Sequence, residues 1–430
     1  MDLICERSTL RGEVRVPGSK SHTIRAVAIA ALADGESCIQ RPLESDDARA
    51  AVAAYRALGA EAQTTGDAWR IRGTGGELRA PENVIDVGNS GTTLRLAMGS
   101  CALLRRGAAV LTGDEQIRRR PGGPLARSLT DLGARAWSTR DNGCAPFVVE
   151  GRLRGGNTSI EAVTSQYLSS LLLNAPLADG DTLVDVPVLN ERPYVEMTLD
   201  WLGRQGVRVE HEAFRRFRIP GGQRYAPVNR AIPADFSTAT FFLAAGALDG
   251  NDILLRGLDM MDTQGDKAVV EYLRRMGARV EIAEEGIRVA SKDIEGCEID
   301  LNATPDALPM MAVLGCFARG TTRLVNVPQA RLKETDRIAV MHRELSKLGG
   351  RATELPDGLV IESSRLHAGV VDGHGDHRVI MALAIAATQI DGATRIRGCN
   401  AVSVTYPGFV EAVTRLGGKI RVEHPSGAQH

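Results

Sequence analysis

The sequence predicts an α/β protein of two lobes, each built from three units of βαβαββ type. The first observation is a glycine that recurs at intervals of 72, 73, 70, 70 and 72 residues: Gly35, Gly107, Gly180, Gly250, Gly320 and Gly392. A second series follows nearly the same period: Gly59, Gly133, Gly206, Gly277, Gly349 and Gly417. Each glycine stands where a helical pattern gives way to strand-like alternation, a place at which glycine commonly caps a helix. The period exceeds that of solenoid repeats, so each copy has room for two helices and several strands.

Each copy is expected to contain two kinds of helix. Residues 26–33 and 382–387 are runs of small and apolar side chains without a polar face, which predicts helices buried on most sides. Residues 47–58 place apolar side chains on one stripe, which predicts an amphipathic second helix. Six units divide most simply into two lobes of three. The seam between them is expected in residues 221–233, where glycine and proline interrupt the periodicity.

Composition excludes several classes of function. The chain has 430 residues, with 52 Lys and Arg against 53 Asp and Glu, and aromatic residues make up 4%. This balance argues against nucleic acid as a partner. The seven cysteines are odd in number and form no C-x-x-C pair, so neither a disulfide framework nor a zinc site is expected. Because no apolar run is long enough for a signal peptide or a membrane span, we expect a cytoplasmic protein without a membrane partner.

Polar residues stand at the predicted start of the buried helix in every copy. They are Lys20-Ser21, Ser90-Gly91-Thr92, Thr164-Ser165-Gln166, Asp235-Phe236-Ser237, Pro305-Asp306 and Asp376-His377-Arg378. Helix N-termini expose backbone N–H groups that bind anions, although Ser, Thr and Asp are also ordinary helix caps. Capping does not explain the cations that accompany these starts, because a cation near a helix N-terminus opposes the dipole unless an anion is bound. These cations are Lys20, Arg25, Arg95 and Arg378. The sequence therefore predicts an anion-binding site.

The segment from Arg331 to Arg337 adds candidate acid and base groups. Lys333 and Arg337 are expected on one helix face, where like charges four residues apart are mildly destabilising without a bound anion. Glu334 between them, together with Asp306, is a candidate for proton transfer. The alternative for this segment is a solvated ion-pair network.

Three other patterns carry less weight. In Arg118-Arg119-Arg120 at most one side chain needs to face a site, because charge runs are usually solvated. The run Pro17-Gly18-Ser19-Lys20-Ser21 lacks the upstream glycine of a P-loop, so ATP binding is not expected. His374 and His377 have no third ligand at a local spacing, so we predict no metal requirement.

Seven motifs, in order from end to end of the chain, resemble those of the 5-enolpyruvylshikimate-3-phosphate (EPSP) synthase family. They are Val16-Pro17-Gly18-Ser19-Lys20-Ser21 with Arg25, Gly88-Asn89-Ser90-Gly91-Thr92-Thr93-Leu94-Arg95, Arg120-Pro121, Ser165-Gln166-Tyr167-Leu168, Pro305-Asp306, Lys333-Glu334-Thr335-Asp336-Arg337 and Asp376-His377-Arg378. The resemblance implies an inside-out α/β barrel, the enolpyruvyl transferase fold, in which two lobes of three βαβαββ units surround a cleft. It implies an N-terminal lobe of residues 18–228 on the shikimate 3-phosphate side. Residues 1–17 and 229–430 would form the C-terminal lobe, on the side of phosphoenolpyruvate and the acid and base groups.

The resemblance also implies an activity in the shikimate pathway, which leads to chorismate and the aromatic amino acids. The enolpyruvyl group of phosphoenolpyruvate would pass to the 5-hydroxyl of shikimate 3-phosphate by addition and elimination, in a monomer without a cofactor. The implied catalytic residues are Lys20, Asp306 and Glu334. The implied phosphoenolpyruvate-binding residues are Lys20, Gly91, Arg120, Gln166, Arg337 and Arg378. The implied shikimate 3-phosphate-binding residues are Lys20, Ser21, Arg25, Thr164, Ser165, Gln166, Asp306 and Lys333.

The chain departs from the family pattern at two polar positions. Glu191 stands where the family commonly has Ser before Lys/Arg-Pro-Tyr, and a carboxylate facing a substrate phosphate there would repel it unless turned away. Val404 stands where a Lys is frequent. Two alternatives stay open: the sister enolpyruvyl transferase that acts on UDP-N-acetylglucosamine, and a non-catalytic or reassigned paralogue that binds another cyclic phosphate. Lys20-Ser21 argues against the first, which usually has Lys-Asn.

Overall fold

The computed structural model describes residues 1–424 and divides the chain into two compact units. The N-terminal unit is Gly18–Pro233, and the C-terminal unit combines Met1–Pro17 with the described residues from 234 to 424. The boundary after Pro233 lies five residues beyond the predicted one after 228. The reason is a short strand, Asn229–Ala231, which pairs in parallel with the strand Glu36–Gln40 and so stays with the N-terminal unit.

The described chain contains 24 strands, numbered in chain order. They are β1 Asp2–Glu6, β2 Arg11–Arg15, β3 Glu36–Gln40, β4 Glu61–Gln63, β5 Ala68–Arg72, β6 Ile85–Asp86, β7 Leu103–Thr112, β8 Arg135–Ser138, β9 Phe147–Arg152, β10 Gly156–Ser159, β11 Thr182–Asp185, β12 Glu210–Glu212, β13 Arg216–Ile219, β14 Asn229–Ala231, β15 Asp252–Arg256, β16 Arg279–Ala283, β17 Gly286–Ala290, β18 Glu298–Asp300, β19 Thr321–Val325, β20 Arg351–Leu355, β21 Gly358–Glu362, β22 Val370–Asp372, β23 Ala393–Arg397 and β24 Lys419–Glu423.

These strands form six four-stranded sheets, three in each unit, within residues 1–424. The N-terminal unit has the orders β14-β3-β5-β4, β6-β7-β9-β8 and β10-β11-β13-β12. The C-terminal unit has β16-β17-β15-β2, β18-β19-β21-β20 and β22-β23-β1-β24. Every sheet repeats one pattern, a parallel pair followed by two antiparallel pairings, as in β14 with β3, β3 with β5 and β5 with β4. This recurrence confirms the six copies that the glycine spacing predicts.

Twelve α-helices connect the strands of the described chain. They are α1 Lys20–Leu32, α2 Asp46–Ala57, α3 Gly91–Cys101, α4 Gly123–Asp131, α5 Ser165–Asn174, α6 Arg192–Arg204, α7 Phe236–Gly246, α8 Val269–Arg275, α9 Leu308–Phe317, α10 Arg337–Lys347, α11 His377–Ala387 and α12 Phe409–Arg415. The 3₁₀ segments are Ala175–Leu177, Gly265–Ala268, Pro305–Ala307, Pro328–Leu332 and Cys399–Val404. No helix within residues 1–424 is long and apolar enough to cross a membrane.

The two predicted kinds of helix alternate along the chain. The odd-numbered helices α1, α3, α5, α7, α9 and α11 are buried almost throughout, while the even-numbered helices bury one face. Small residues such as those at 26–33 let a helix pack closely against neighbours on all sides. Each unit has its own hydrophobic core around its three buried helices. The buried helices therefore fix where their N-terminal residues lie.

Candidate active site

The half-buried residues of the buried helices in the N-terminal unit are confined to the first two helical positions. In α1 they are Lys20 and Ser21, in α3 Thr92, and in α5 Gln166. Gln166 Nε2 donates to Thr92 Oγ1 at 3.2 Å, so the starts of α3 and α5 are in contact. The Oε1 atom of Gln166 is buried and has no hydrogen-bond partner among the described residues. A buried acceptor in that state is suited to a ligand hydroxyl.

Lys20 forms a buried ion pair that the sequence pattern does not predict. Its Nζ lies 3.1 Å from Oδ2 of Asp47, and the exposed fractions of the two side chains are 14% and 6%. Asp47 belongs to the first turn of α2. A carboxylate there is favourable to the helix dipole and also holds the ammonium group of Lys20 in place. Asp47 is therefore a positioning residue for Lys20, and only the packing of α1 against α2 reveals it.

Arg120 packs directly over Gly91 at the start of α3. A Cβ atom added to Gly91 would lie 2.6 Å from Nη1 of Arg120, so only glycine leaves room for this guanidinium. Arg120 is 8% exposed, whereas Arg118 and Arg119 are exposed. Arg118 donates to the carbonyl of Gly113, and Arg119 pairs with a neighbouring glutamate. One arginine of the three-arginine run faces inward, as expected.

Arg95 lies near Arg120 and is held by two backbone carbonyls. Its Nη1 donates to the carbonyl of Gly91 at 3.1 Å, and its Nη2 donates to the carbonyl of Pro121 at 2.7 Å. Tyr167 Oη also donates to Pro121, at 2.7 Å. Burial and the charge of Arg120 lower the pKa of Arg95 to about 10. Two adjacent buried guanidinium groups form a positive centre that an anion would stabilise.

Arg25, on α1, is hydrogen-bonded to α6 instead of presenting open donors. Its Nε donates to Thr198 Oγ1 at 2.9 Å, its Nη1 to the carbonyl of Ser21 at 3.0 Å, and its Nη2 to the carbonyl of Tyr194 at 3.1 Å. Burial lowers its pKa to about 10, although the charges of Tyr194 and Glu191 act in the opposite direction. Arg25 therefore holds Ser21 and the start of α6 together.

Thr164 and Ser165 stand at the start of α5 and already bind a carboxylate. Thr164 Oγ1, Ser165 Oγ and the Ser165 backbone N–H donate to Oε2 of Glu191 at 3.1, 2.7 and 3.0 Å. Thr164 is the N-cap of α5 and accepts from the Gln166 N–H. The carboxylate of Glu191 is thus turned toward the helix start, where the dipole favours a negative charge.

The C-terminal unit gathers its predicted residues around Arg337, which is 1% exposed. Arg337 Nη1 donates to Asp306 at 2.6 Å, Nη2 to Glu334 at 2.6 Å, and Nε to Asp376 at 2.8 Å. Burial acts to lower the pKa of Arg337, but the charges of the three carboxylates outweigh it and raise the pKa. The two candidate acid and base groups therefore share one guanidinium.

Arg378 completes this cluster from the first turn of α11. Its Nη2 lies 3.1 Å from Oδ2 of Asp306, so Asp306 bridges Arg378 and Arg337. Asp376 caps α11 by accepting from the backbone N–H groups of Arg378 and Val379, and it thereby sets the position of Arg378. Three carboxylates and two guanidinium groups thus form one hydrogen-bonded network. Protonation of one carboxylate weakens the hydrogen bond that it accepts from an arginine of the network.

The expectation that Lys333 and Arg337 share a helix face is wrong. Helix α10 begins only at Arg337, because the side chain of Asp336 accepts from the backbone N–H of Ala339 and caps the helix there. Lys333 lies before it, in the turn that follows the 3₁₀ segment Pro328–Leu332. Asp306, by contrast, lies in the 3₁₀ turn Pro305–Ala307, which continues directly into α9 at Leu308, so it stands at the start of a buried helix.

A second ionic cluster, centred on Glu344 of α10, contacts the turn of residues 372–374 that leads to α11 and Arg378. Glu344 is fully buried and accepts from His374 Nε2 at 2.8 Å, from Lys347 Nζ at 2.7 Å and from the Asp372 backbone N–H at 2.9 Å. Arg343 Nε also donates to Glu344, at 3.2 Å. Burial raises the pKa of Glu344, but these hydrogen bonds outweigh burial and lower the pKa to about 2.

In residues 1–424, no three His, Cys, Asp or Glu side chains cluster as metal ligands, and the absence of a metal requirement stays a prediction.

We expect the substitution Glu344→Gln to lower the free energy of unfolding by about 2 kcal/mol at neutral pH, the scale of hydrogen bonds to a charged group. The pKa of Glu344 is lowered from 4.5 to about 2 in the folded protein. The ionised carboxylate therefore stabilises the folded state fully above pH 4.5, and this contribution is lost as the pH falls toward about 2. Urea unfolding at several pH values should therefore show the two proteins converging under acid. Glu362→Gln, which alters an exposed ion pair with Arg351, is the control. A difference that is constant with pH would contradict the prediction.

The comparisons with known proteins agree with this arrangement of motifs. Residues 4–413 match the family model described as EPSP synthase (3-phosphoshikimate 1-carboxyvinyltransferase). The chain belongs to the EPSP synthase family. A family member from Acetivibrio thermocellus, named 3-phosphoshikimate 1-carboxyvinyltransferase, is 54% identical over 420 residues, covering 98% of this chain and 99% of that protein.

Other relatives extend the likeness. The 3-phosphoshikimate 1-carboxyvinyltransferase of Methanothrix thermoacetophila is 48% identical, covering 96% of this chain and 98% of that protein. The structure of EPSP synthase from Acinetobacter baumannii superimposes with a TM-score of 0.82 at 28% identity, covering 99% of this chain and 100% of that one. An enolpyruvyl transferase from Streptomyces tendae, 22% identical with a TM-score of 0.78 and 98% coverage of both chains, shares the fold. The predicted enolpyruvyl transferase fold is thereby confirmed.

The site residues predicted for an EPSP synthase separate into two groups, one in each unit. The N-terminal unit holds Lys20, Ser21, Arg25, Gly91, Arg120, Thr164, Ser165 and Gln166, and the C-terminal unit holds Asp306, Lys333, Glu334, Arg337 and Arg378. The sequence pattern does not indicate the positioning roles of four further residues: Asp47, Tyr167, Asp376 and Glu344. The acidic first turn of α2 was the only signal for Asp47, and it is also what any stable helix would show.

Proposed function

We propose that this EPSP synthase family enzyme transfers the enolpyruvyl group of phosphoenolpyruvate to the 5-hydroxyl of shikimate 3-phosphate and releases phosphate. The observation that carries this conclusion is the 54% identity, over 98% of the chain, to a protein named for that transfer. The motifs support it, because both substrates are anions and the motifs contain five buried arginines: Arg25, Arg95, Arg120, Arg337 and Arg378. The reaction belongs to the shikimate pathway of aromatic amino acid synthesis.

We assign the two substrates to residues as follows. Under this proposal, the residues that bind phosphoenolpyruvate are Lys20, Gly91, Arg120, Gln166, Arg337 and Arg378. Shikimate 3-phosphate is bound by Lys20, Ser21, Arg25, Thr164, Ser165 and Gln166 and by Asp306 and Lys333. The supporting physical argument is charge-assisted hydrogen bonding, which is strongest where arginine meets a carboxylate or phosphate.

The first chemical step is an addition. Glu334 gives a proton to the methylene carbon of phosphoenolpyruvate while the 5-hydroxyl oxygen bonds to the neighbouring carbon, and Asp306 takes the proton of that hydroxyl. When Glu334 is protonated, its hydrogen bond with Arg337 weakens, and the arginine can turn a donor toward the substrate carboxylate. Both proton transfers of the addition use carboxyl groups that already contact the Arg337 guanidinium.

The second step is an elimination. The bond between the tetrahedral carbon and the phosphate oxygen breaks, the former methylene carbon returns its proton to Glu334, and the carbon–carbon double bond forms again. The proton held by Asp306 passes to the departing phosphate, so both carboxyl groups end as they began. Lys20, held by Asp47, stabilises the negative charge that develops on the leaving phosphate.

The test is incubation of the protein with phosphoenolpyruvate and shikimate 3-phosphate, with phosphate release and the vinyl protons of the product followed by magnetic resonance. We expect both to appear in equal amounts. A parallel reaction with UDP-N-acetylglucosamine should give no phosphate. Absence of release with shikimate 3-phosphate between about pH 6 and about pH 9 would favour the non-catalytic or reassigned paralogue. The monomer, the cytoplasm and the absence of a cofactor remain predictions.

We expect Gly91→Ala to raise the KM for phosphoenolpyruvate about tenfold, which corresponds to about 1.4 kcal/mol of binding free energy. The new Cβ would stand 2.6 Å from the Arg120 guanidinium, and the flexible end of that side chain has to move away. The folded state should keep most of its stability, since the displaced atoms are not backbone. The control for the added methyl group is Gly203→Ala on α6, where the new Cβ would have no atom within 4 Å apart from its chain neighbours and the backbone of its own helix. An unchanged KM would remove Arg120 from the binding assignment.

A further inference from the structure

Glu191 supplies an anion from the chain itself to the start of α5. Its side chain is 2% exposed, and its Oε2 accepts from Thr164 Oγ1, Ser165 Oγ and the Ser165 N–H. Three donors on one oxygen atom match the way a phosphate oxygen is bound at a helix N-terminus. The Glu191 carboxylate therefore stands in for an anionic ligand at this point.

The backbone conformation around Glu191 directs its carboxylate toward the start of α5. Glu191 has φ 57° and ψ 39°, in the left-handed region that few glutamates adopt. It is the N-cap of α6, yet its side chain makes no capping bond to that helix and turns toward α5. The preceding residue, Asn190, is anchored by its backbone N–H to the carbonyl of Ala162 and by its side chain to the carbonyl of Val163. The loop before α6 is therefore hydrogen-bonded to the loop before α5.

The donors that Glu191 uses are the donors assigned to the substrate. Under the proposed function, Thr164 and Ser165 bind shikimate 3-phosphate, and the carboxylate and the phosphate would compete for the same three hydrogen bonds. Two anions at hydrogen-bond distance from one group repel each other, and burial strengthens the repulsion. The charge of Glu191 acts to raise the pKa of Arg25, so the two groups are near each other. The guanidinium of Arg25, however, donates to Thr198, Ser21 and Tyr194. Phosphate binding therefore has to displace the Glu191 carboxylate.

We infer that Glu191 is a specificity-determining residue, which occupies the phosphate-binding end of the acceptor site and weakens the preference for a phosphorylated acceptor. The inference rests on the proposed function, because it takes shikimate 3-phosphate as the acceptor. Shikimate has a hydroxyl where shikimate 3-phosphate has its phosphate. A hydroxyl can lie beside the carboxylate, and even donate to it, without charge repulsion.

The experiment compares the wild type with Glu191→Ser by steady-state kinetics and by calorimetric titration with shikimate 3-phosphate alone. We expect the serine variant to bind shikimate 3-phosphate at least tenfold more tightly and to lower its KM by a similar factor. The KM for phosphoenolpyruvate and the kcat/KM for shikimate should stay within about threefold. Glu191→Gln, which removes the charge and keeps the size, should shift both quantities in the same direction by a smaller factor. Glu196→Gln, on the same helix but paired with Arg192, is the control for loss of charge.

The two readouts separate the inference from the proposed function. If the wild type turns over shikimate 3-phosphate and neither Glu191 variant binds it more tightly, the proposed function holds and the inference fails. If the wild type neither binds nor turns it over while the serine variant binds it, the inference holds and the proposed function fails for the native chain. If neither Glu191→Ser nor wild type binds it, both fail. Thermal unfolding of the variants shows that each is folded before its binding is measured.

Discussion

Glu334→Gln and Asp306→Asn are each expected to lower kcat at least about 100-fold, the lower end of what a general acid or base contributes. Both substitutions keep an oxygen that can accept from Arg337, so the cluster keeps its shape while the group loses its ability to exchange a proton. The KM values for both substrates should change by less than about fivefold, because the guanidinium stays in place. Loss of kcat without loss of binding is what separates a proton-transfer role from a structural one.

The control for these variants is Glu354→Gln in the same unit. Glu354 pairs with Arg331 outside the Arg337 cluster, so the same chemical change is made without touching Asp306 or Glu334. Single-turnover measurements should place the loss in the chemical steps. For Glu334→Gln, incorporation of solvent deuterium into the methylene group of phosphoenolpyruvate should also fall, because that exchange requires the proton on Glu334. A variant with near-normal kcat would remove its residue from the mechanism.

Arg337→Ala is expected to have the second large effect, on stability and on catalysis together. The substitution leaves Asp306, Glu334 and Asp376 without the guanidinium that all three contact. Loss of one partner from a buried ion network costs about 3–5 kcal/mol. We expect a matching decrease in the free energy of unfolding and a fall in kcat/KM of at least about 1,000-fold, since phosphoenolpyruvate also loses a cation.

Arg337→Lys distinguishes charge from geometry. Lysine keeps the positive charge but offers one nitrogen in place of the three that Arg337 uses, so it cannot reach all three carboxylates. We expect this variant to recover part of the stability and little of the activity. The control is Arg323→Ala, which removes an exposed ion pair with Glu298 and should change stability by less than about 1 kcal/mol. If Arg337→Lys were as active as the wild type, the shared guanidinium would have no catalytic importance.

Lys20 and Asp47 illustrate how far the site could be predicted. Lys20 was predictable because a cation at the start of a buried helix is unfavourable without an anion. Its partner was not, because Asp47 is a normal first-turn residue of a different helix. The two residues are 27 apart in sequence and are brought together by the packing of α1 on α2, and the sequence pattern contains no signal for the 3.1 Å contact.

Lys333 and Glu191 show the two other ways in which pattern reasoning falls short. Spacing four residues apart suggested a shared helix face for Lys333 and Arg337, but the cap at Asp336 delays the helix. For Glu191, the sequence showed an unusual residue and left its direction open. The left-handed backbone and the anchored Asn190 turn the carboxylate toward α5.

By itself, the sequence determined the six copies, the alternation of buried and amphipathic helices, the family and the residues that carry charge to the helix starts. These are local properties, since periodicity, capping and glycine placement depend on neighbours within a few turns of chain. Only the tertiary structure decided which donors meet which acceptors: Asp47 with Lys20, Arg120 over Gly91, three carboxylates on Arg337, and Glu191 on Ser165. The physical reason is that hydrogen bonds and ion pairs between distant segments depend on side-chain positions to within a few tenths of an ångström, and those positions are set by the packing of whole helices and sheets.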